Sequence, residues 1–127
     1  MKKITTVGRI LFAIPFAIFG FNHFLMTDYY LGMLTSFIPL GAYTIILTGI
    51  MMIAVSISII FKKFVKFSTI ILAILLFLFI VTIHIPHLFQ DVDKTATIIA
   101  LLKDISLMGG SLMIAGIFLE DEEINTK

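Results

Sequence analysis

The chain has no cysteine, no tryptophan and only 3 prolines among its 127 residues. Without thiols there can be no disulfide, no thiolate metal site and no cysteine redox relay, so any redox role must borrow a cofactor. Charge is scarce as well. Asp, Glu, Lys and Arg make up 13% of the chain, about half of the roughly 25% usual in soluble domains. The formal net charge is +1 and no basic run is interleaved with aromatic residues, which excludes a nucleic-acid-binding surface. A phosphate loop, a Gly-x-Ser-x-Gly elbow and a His-Glu-x-x-His pair are also missing, and with them go the commonest signatures of nucleotide binding, serine hydrolysis and zinc proteolysis.

What the chain does have is apolar surface. Hydrophobic residues make up 60% of it and its mean hydropathy is +1.15, more than a fold this small could bury in water. A transmembrane helix needs about 20 mostly apolar residues, because every backbone polar group must be satisfied within the helix. Four stretches meet that length, at residues 4–24, 43–61, 64–85 and 96–119. They predict an all-α, four-helix transmembrane bundle forming a single domain over residues 1–127. The first stretch follows Met1-Lys2-Lys3 but ends in the bulky Phe21-Asn22-His23-Phe24, with no small-residue cleavage pattern, so it is read as a mature helix and not as a signal peptide.

Lys2 and Lys3 precede the first span, Lys62, Lys63 and Lys66 lie between the second and third, and Lys127 follows the fourth, whereas the opposite side offers chiefly Lys94. Positive residues are retained on the cytoplasmic side, so both ends are expected there, with Arg9 near enough to that interface to snorkel toward the headgroups. The acidic run Glu120-Asp121-Glu122-Glu123 reads as a solvated helix end. The short link between spans two and three makes them antiparallel neighbours. The longer link from Thr27 to Ala42 contains Asp28, Tyr29, Tyr30 and Pro39, a mixture suited to an interfacial helix with aromatic anchors.

Helices in lipid gain little from burying apolar surface against each other, so small residues that permit close approach are the expected contacts. Ala13 with Ala17, Ala54 with Ser58, Ser106 with Gly110 and Ser111 with Ala115 recur four apart. The pair Gly109-Gly110 makes the fourth helix the expected most buried one, and Pro15 is expected to kink the first. Sliding the chain by 61 residues aligns His23 with His84, Gly49 with Gly110 and Met52-Ile53-Ala54 with Met113-Ile114-Ala115. Two tandem two-helix repeats would produce that pattern, as would chance in so apolar an alphabet.

Ionisable residues in a span are costly and are functional candidates by default. Here they gather at one depth. Asn22 and His23 close the first span, His84 closes the third, His87, Gln90, Asp91 and Asp93 follow, and Lys103 with Asp104 lie in the outer part of the fourth. Three readings stay open for the histidines. They can meet headgroups and water at the interface, hold a metal if His23 or Asp91 completes the spacing His84-Ile85-Pro86-His87, or exchange hydrogen bonds and protons with an amphipathic ligand such as a quinone. Pro86 is expected to end the third span near Ile85 and let the two rings diverge, which weakens the metal reading. No metal ligand set is assigned. Lys103 is expected to reach the outer interface, while Asp104 turns inward.

With these residues in view, the chain resembles the DoxX-like family of small four-helix bacterial membrane proteins over nearly its whole length. The resemblance rests on Gly8-Arg9-Ile10-Leu11-Phe12 and Phe19-Gly20-Phe21-Asn22-His23-Phe24 in the first span. In the last span it rests on Leu102-Lys103-Asp104-Ile105-Ser106-Leu107-Met108-Gly109-Gly110-Ser111-Leu112. The family often has Lys where this chain has His23, and commonly Glu where it has Asp104. The likeness implies a multi-pass protein of the bacterial inner (cytoplasmic) membrane with a link to membrane redox chemistry, since named relatives are subunits of a thiosulfate:quinone oxidoreductase. It implies a redox-associated accessory subunit that contacts a quinone near His23, His84, Asp104 and Arg9, together with a redox partner protein or as a homo-oligomer. The competing expectation is a nonenzymatic assembly or small-molecule transport component that uses the same polar patch.

Overall fold

The computed structural model describes residues 2–34, 40–90 and 93–126, without the side chains of 121–123, 125 and 126. Its elements in order are α1 (Lys2–Leu25), α2 (Thr27–Met33), α3 (Ala42–Ile60), α4 (Val65–Phe79), a π-helical turn (Ile80–His84), α5 (Ile85–Leu88) and α6 (Lys94–Thr126). No strand occurs among the described residues. Four helical stretches are long and apolar enough to cross a membrane: Lys2–Leu25, Ala42–Ile60, Val65–Leu88 and Lys94–Glu120. The chain is therefore an all-helical, four-helix protein with the makeup of a multi-pass membrane protein.

The spans pack as two antiparallel pairs. In the first, Arg9 reaches Ile59 and Ile60, Ser56 donates to the Ala13 carbonyl at 2.7 Å, and Gly20 lies against Gly49. In the second, Ser111 donates to the Thr69 carbonyl at 2.6 Å and His84 meets Asp104. Each pair is thus pinned by a buried serine of its second helix on a backbone oxygen of its first. Such interhelical bonds contribute about 0.6–2 kcal/mol in a membrane. Between the pairs, Ala13, Phe16, Met52, Val55, Ile59, Leu72, Leu75 and Leu76 form the common core.

Gly20 and Gly49 set the closest approach. A methyl group on Gly20 would lie 2.8 Å from the Gly49 carbonyl oxygen, and one on Gly49 would lie 2.9 Å from the Gly20 oxygen. Neither position has room for a side chain. Of the expected small-residue pairs, Ala13 is buried with Ala17 partly so, and Ser111 and Ala115 are buried, but Ala54 and Ser106 are exposed. The fourth span is also not the most buried, as its glycines had suggested. It has the smallest buried share, 17%, and the third span the largest, 44%. Added methyls at Gly109 or Gly116 would meet nothing within 4 Å. These glycines sit on the open side of α6, and only Gly110 faces a neighbour, Phe12.

The third span does not stop at Ile85. Ile85 keeps helical angles (φ −63, ψ −48) and the helix continues through Pro86 to Leu88. Proline blocks an α-helix by removing a donor and pressing on the carbonyl four residues back. The preceding turn is widened, with the Ile85 N–H donating to the Ile80 oxygen five residues back, and this wider ladder accommodates the ring. Pro15 lies inside an unbroken α1. The link between α3 and α4 is as short as expected and turns through left-handed residues Lys62 and Phe64. The link from Thr27 to Ala42 does carry a short helix, α2, while Pro39 lies outside the described residues.

Candidate functional site

At the end of the bundle away from both termini, the two helix pairs part around a cavity of about 560 Å³. Its apolar floor comes from mid-span residues, with Phe16 and Phe19 on α1, Met52 on α3, Leu75 and Leu76 on α4, and Leu107 on α6. Its polar groups are His23, Tyr29, Tyr30, Thr44, Thr48, Thr82 and His84, near the ends of their helices, with Lys103 and Asp104 from within α6. The volume lies within the range of about 300–1,000 Å³ usual for small-molecule sites, and an apolar lining with a few polar groups is their usual makeup.

Asp104 is 5% exposed, yet it carries a carboxylate. Its Oδ2 accepts from His84 Nε2 at 2.6 Å, and Lys103 Nζ stands 3.8 Å from its Oδ1. Burial without a partner would make such a group very costly, and a charge-assisted bond to imidazole offsets that cost. Lys103 keeps its side chain half exposed and its ammonium 5.2 Å above the Phe19 ring. Asp104 turns inward and its sequence neighbour Lys103 outward, since consecutive residues lie about 100° apart around a helix.

His23 is buried where α1 crosses α3, its Cβ against Gly49. Its Nδ1 lies 2.6 Å from the Phe19 carbonyl oxygen. A carbonyl only accepts, so the proton is on Nδ1 and the neutral ring keeps a lone pair on Nε2. Tyr30 of α2 stacks flat on this ring, with centroids 4.0 Å apart and planes 15° from parallel, and Tyr29 meets Tyr30 edge-on. Burial, and then the neighbouring Tyr29, hold the Tyr30 phenol above its usual range, so it stays a neutral hydroxyl. Two threonines of the lining commit their protons to their own helices, Thr48 to the Thr44 oxygen at 2.8 Å and Thr82 to the Leu78 oxygen at 2.6 Å.

Of the four candidate residues, His23, His84 and Asp104 line this one cavity and Arg9 does not. Arg9 lies at the opposite end of α1, buried, with its Nη1 on the Ile59 and Ile60 carbonyls. It does not snorkel. It donates to carbonyls of the last turn of α3, of which Ile59 also accepts from the Lys62 N–H, at the negative end of that helix dipole. A smaller recess of about 290 Å³ between α1 and α6 passes beside it. His87 is half-buried and outside the main cavity. Among the described residues no group of three His, Asp or Glu could hold a metal ion, and Asp91 lies outside them.

Sequence reasoning missed Tyr30, Thr48 and Phe19. Tyr30 follows His23 by seven residues, two helical turns, a spacing that brings rings together only because α2 folds back after Met26. The chain matches no protein-family model, no curated protein and no solved structure.

Proposed function

We propose that the chain is an N-in/C-in, multi-pass protein of the bacterial inner membrane whose cavity, near the outer face, holds a quinone or similar amphipathic small molecule. On this reading it is a redox-associated accessory subunit working beside a partner protein. The observation that carries the ligand reading is the cavity, with polar side chains from all four spans above an aromatic and aliphatic floor. A ligand with a polar ring and an apolar tail matches that gradient. The lysines at the end opposite the cavity, Lys2, Lys3, Lys62, Lys63 and Lys66, support the orientation. The redox assignment and the bacterial inner membrane rest on the resemblance to the DoxX-like family.

A second reading, a nonenzymatic assembly or small-molecule transport component that contacts a partner or another copy of itself, is favoured by the low burial of the fourth span. A native mass spectrum of the protein released gently from nanodiscs separates the two. The ligand reading expects a bound amphipathic small molecule that is lost in His84→Ala while membrane insertion is kept. Wild-type protein that carries only phospholipid, or nothing, and appears as a defined oligomer or complex would put the assembly reading in its place.

A further inference from the structure

We infer that the cavity selects amphipathic molecules whose head group donates hydrogen bonds, such as a phenol, hydroquinone or alcohol. Molecules of the same shape whose head only accepts, such as the matching quinone, are disfavoured. The inference rests on the amphipathic-ligand reading and adds the chemistry of the head.

It follows from where the protons of the lining are already committed. His23 holds its proton on Nδ1, against the Phe19 carbonyl at 2.6 Å, so Nε2 on the far side of the ring carries a lone pair. No buried side-chain nitrogen or oxygen among the described residues lacks a partner, and His23 lines the cavity, so Nε2 meets the cavity and not a sealed apolar wall. Thr48 gives its hydroxyl proton to the Thr44 carbonyl at 2.8 Å and turns oxygen lone pairs outward. The Asp104 carboxylate can only accept. Its Oδ2 takes the His84 proton, and its Oδ1 is 3.8 Å from Lys103, beyond hydrogen-bonding length. Three separate elements therefore present acceptors to the same space.

The lining also holds donors, Lys103 and the hydroxyls of Tyr29, Tyr30 and Thr44, but these are less selective. The Lys103 ammonium is held between the Asp104 carboxylate and the face of the Phe19 ring, on a half-exposed side chain. The Tyr30 hydroxyl both donates and accepts, so it serves either kind of head group. A hydroquinone can place its O–H groups on these lone pairs. A quinone carbonyl in the same place sets lone pair against lone pair and leaves the acceptors of the site unpaired. Sites built to bond a hydroxyl reject analogues lacking it for that reason.

The test is the affinity of purified wild-type protein in nanodiscs for a short-chain alkyl benzoquinol and for the corresponding benzoquinone, measured under anaerobic conditions. The two probes differ only by two hydrogen atoms. The quinol is expected to bind about tenfold more tightly, the effect of one or two net hydrogen bonds. Such a preference raises the midpoint potential of the bound couple by about 30 mV, a second readout of the same ratio. Thr48→Val and His23→Phe are each expected to weaken quinol binding several-fold without weakening quinone binding, which narrows or removes the preference. Thr48→Val keeps shape and volume, so it serves even where the His23 variant fails to fold. Equal affinities, or tighter quinone binding, would overturn the inference and leave the amphipathic-ligand reading standing. If neither probe binds, the ligand reading falls and takes the inference with it.

Discussion

Asp104 and His84 lie 20 positions apart in the chain and share one hydrogen bond of 2.6 Å inside the bundle. The sequence placed both residues at one depth, because His84 closes the third span and Asp104 lies in the outer part of the fourth. It did not show that they meet, which depends on the rotation of α4 and α6 about their axes. Pairing makes their contributions to stability depend on each other. Asp104→Asn and His84→Gln are each expected to lower stability by about 1–3 kcal/mol, and the double variant by clearly less than the sum of the two. Reversible unfolding of the three variants in mixed micelles measures this. Strictly additive losses would mean that the two side chains do not interact. Arg9 teaches the complementary lesson. Its place near the end of α1 fits snorkelling equally well until the carbonyls of Ile59 and Ile60 are seen to end beside it.

Among the helices, lengths and order were legible from hydropathy, while contact faces were not. Small residues four apart occur by chance in chains rich in Ala, Ser and Gly. The faces that pack are those where a carbonyl of the neighbour comes close, as at Gly20 and Gly49. Gly20→Ala is therefore expected to force α1 and α3 apart and lower stability by about 1–3 kcal/mol. Gly109→Ala, on the open side of α6, is expected to change it by less than about 0.5 kcal/mol. Comparable effects at the two sites, measured by the same unfolding assay, would place the helix crossing elsewhere. The π turn at Ile80–His84 was hidden for a different reason. Pro86 signals a helix stop by local sterics, and only the widened ladder before it lets the helix continue to Leu88.

Over the whole molecule, the four spans and the clustering of polar groups at one end could be read directly from composition and spacing. The cavity between the helix pairs could not. It lies beyond the mid-span core where both pairs meet around Phe16 and Leu76, in the gap that polar groups of both pairs line. The central claim is that this polar end faces away from the cytoplasm in a chain that crosses the membrane four times. The absence of native cysteine makes each introduced one a unique reporter. Phe64→Cys, Phe89→Cys and Ile124→Cys replace residues exposed by 81%, 86% and 71% in the link between spans two and three, just beyond span three, and near the end of α6. The most direct measurement is labelling of these three variants with a membrane-impermeant maleimide, in intact cells and in inverted membrane vesicles. The expected result is reaction of Phe89→Cys only in intact cells, and of Phe64→Cys and Ile124→Cys only in inverted vesicles. Labelling of Phe64→Cys and Phe89→Cys from the same side would contradict the four-span arrangement, and a reversed pattern would put the cavity on the cytoplasmic face.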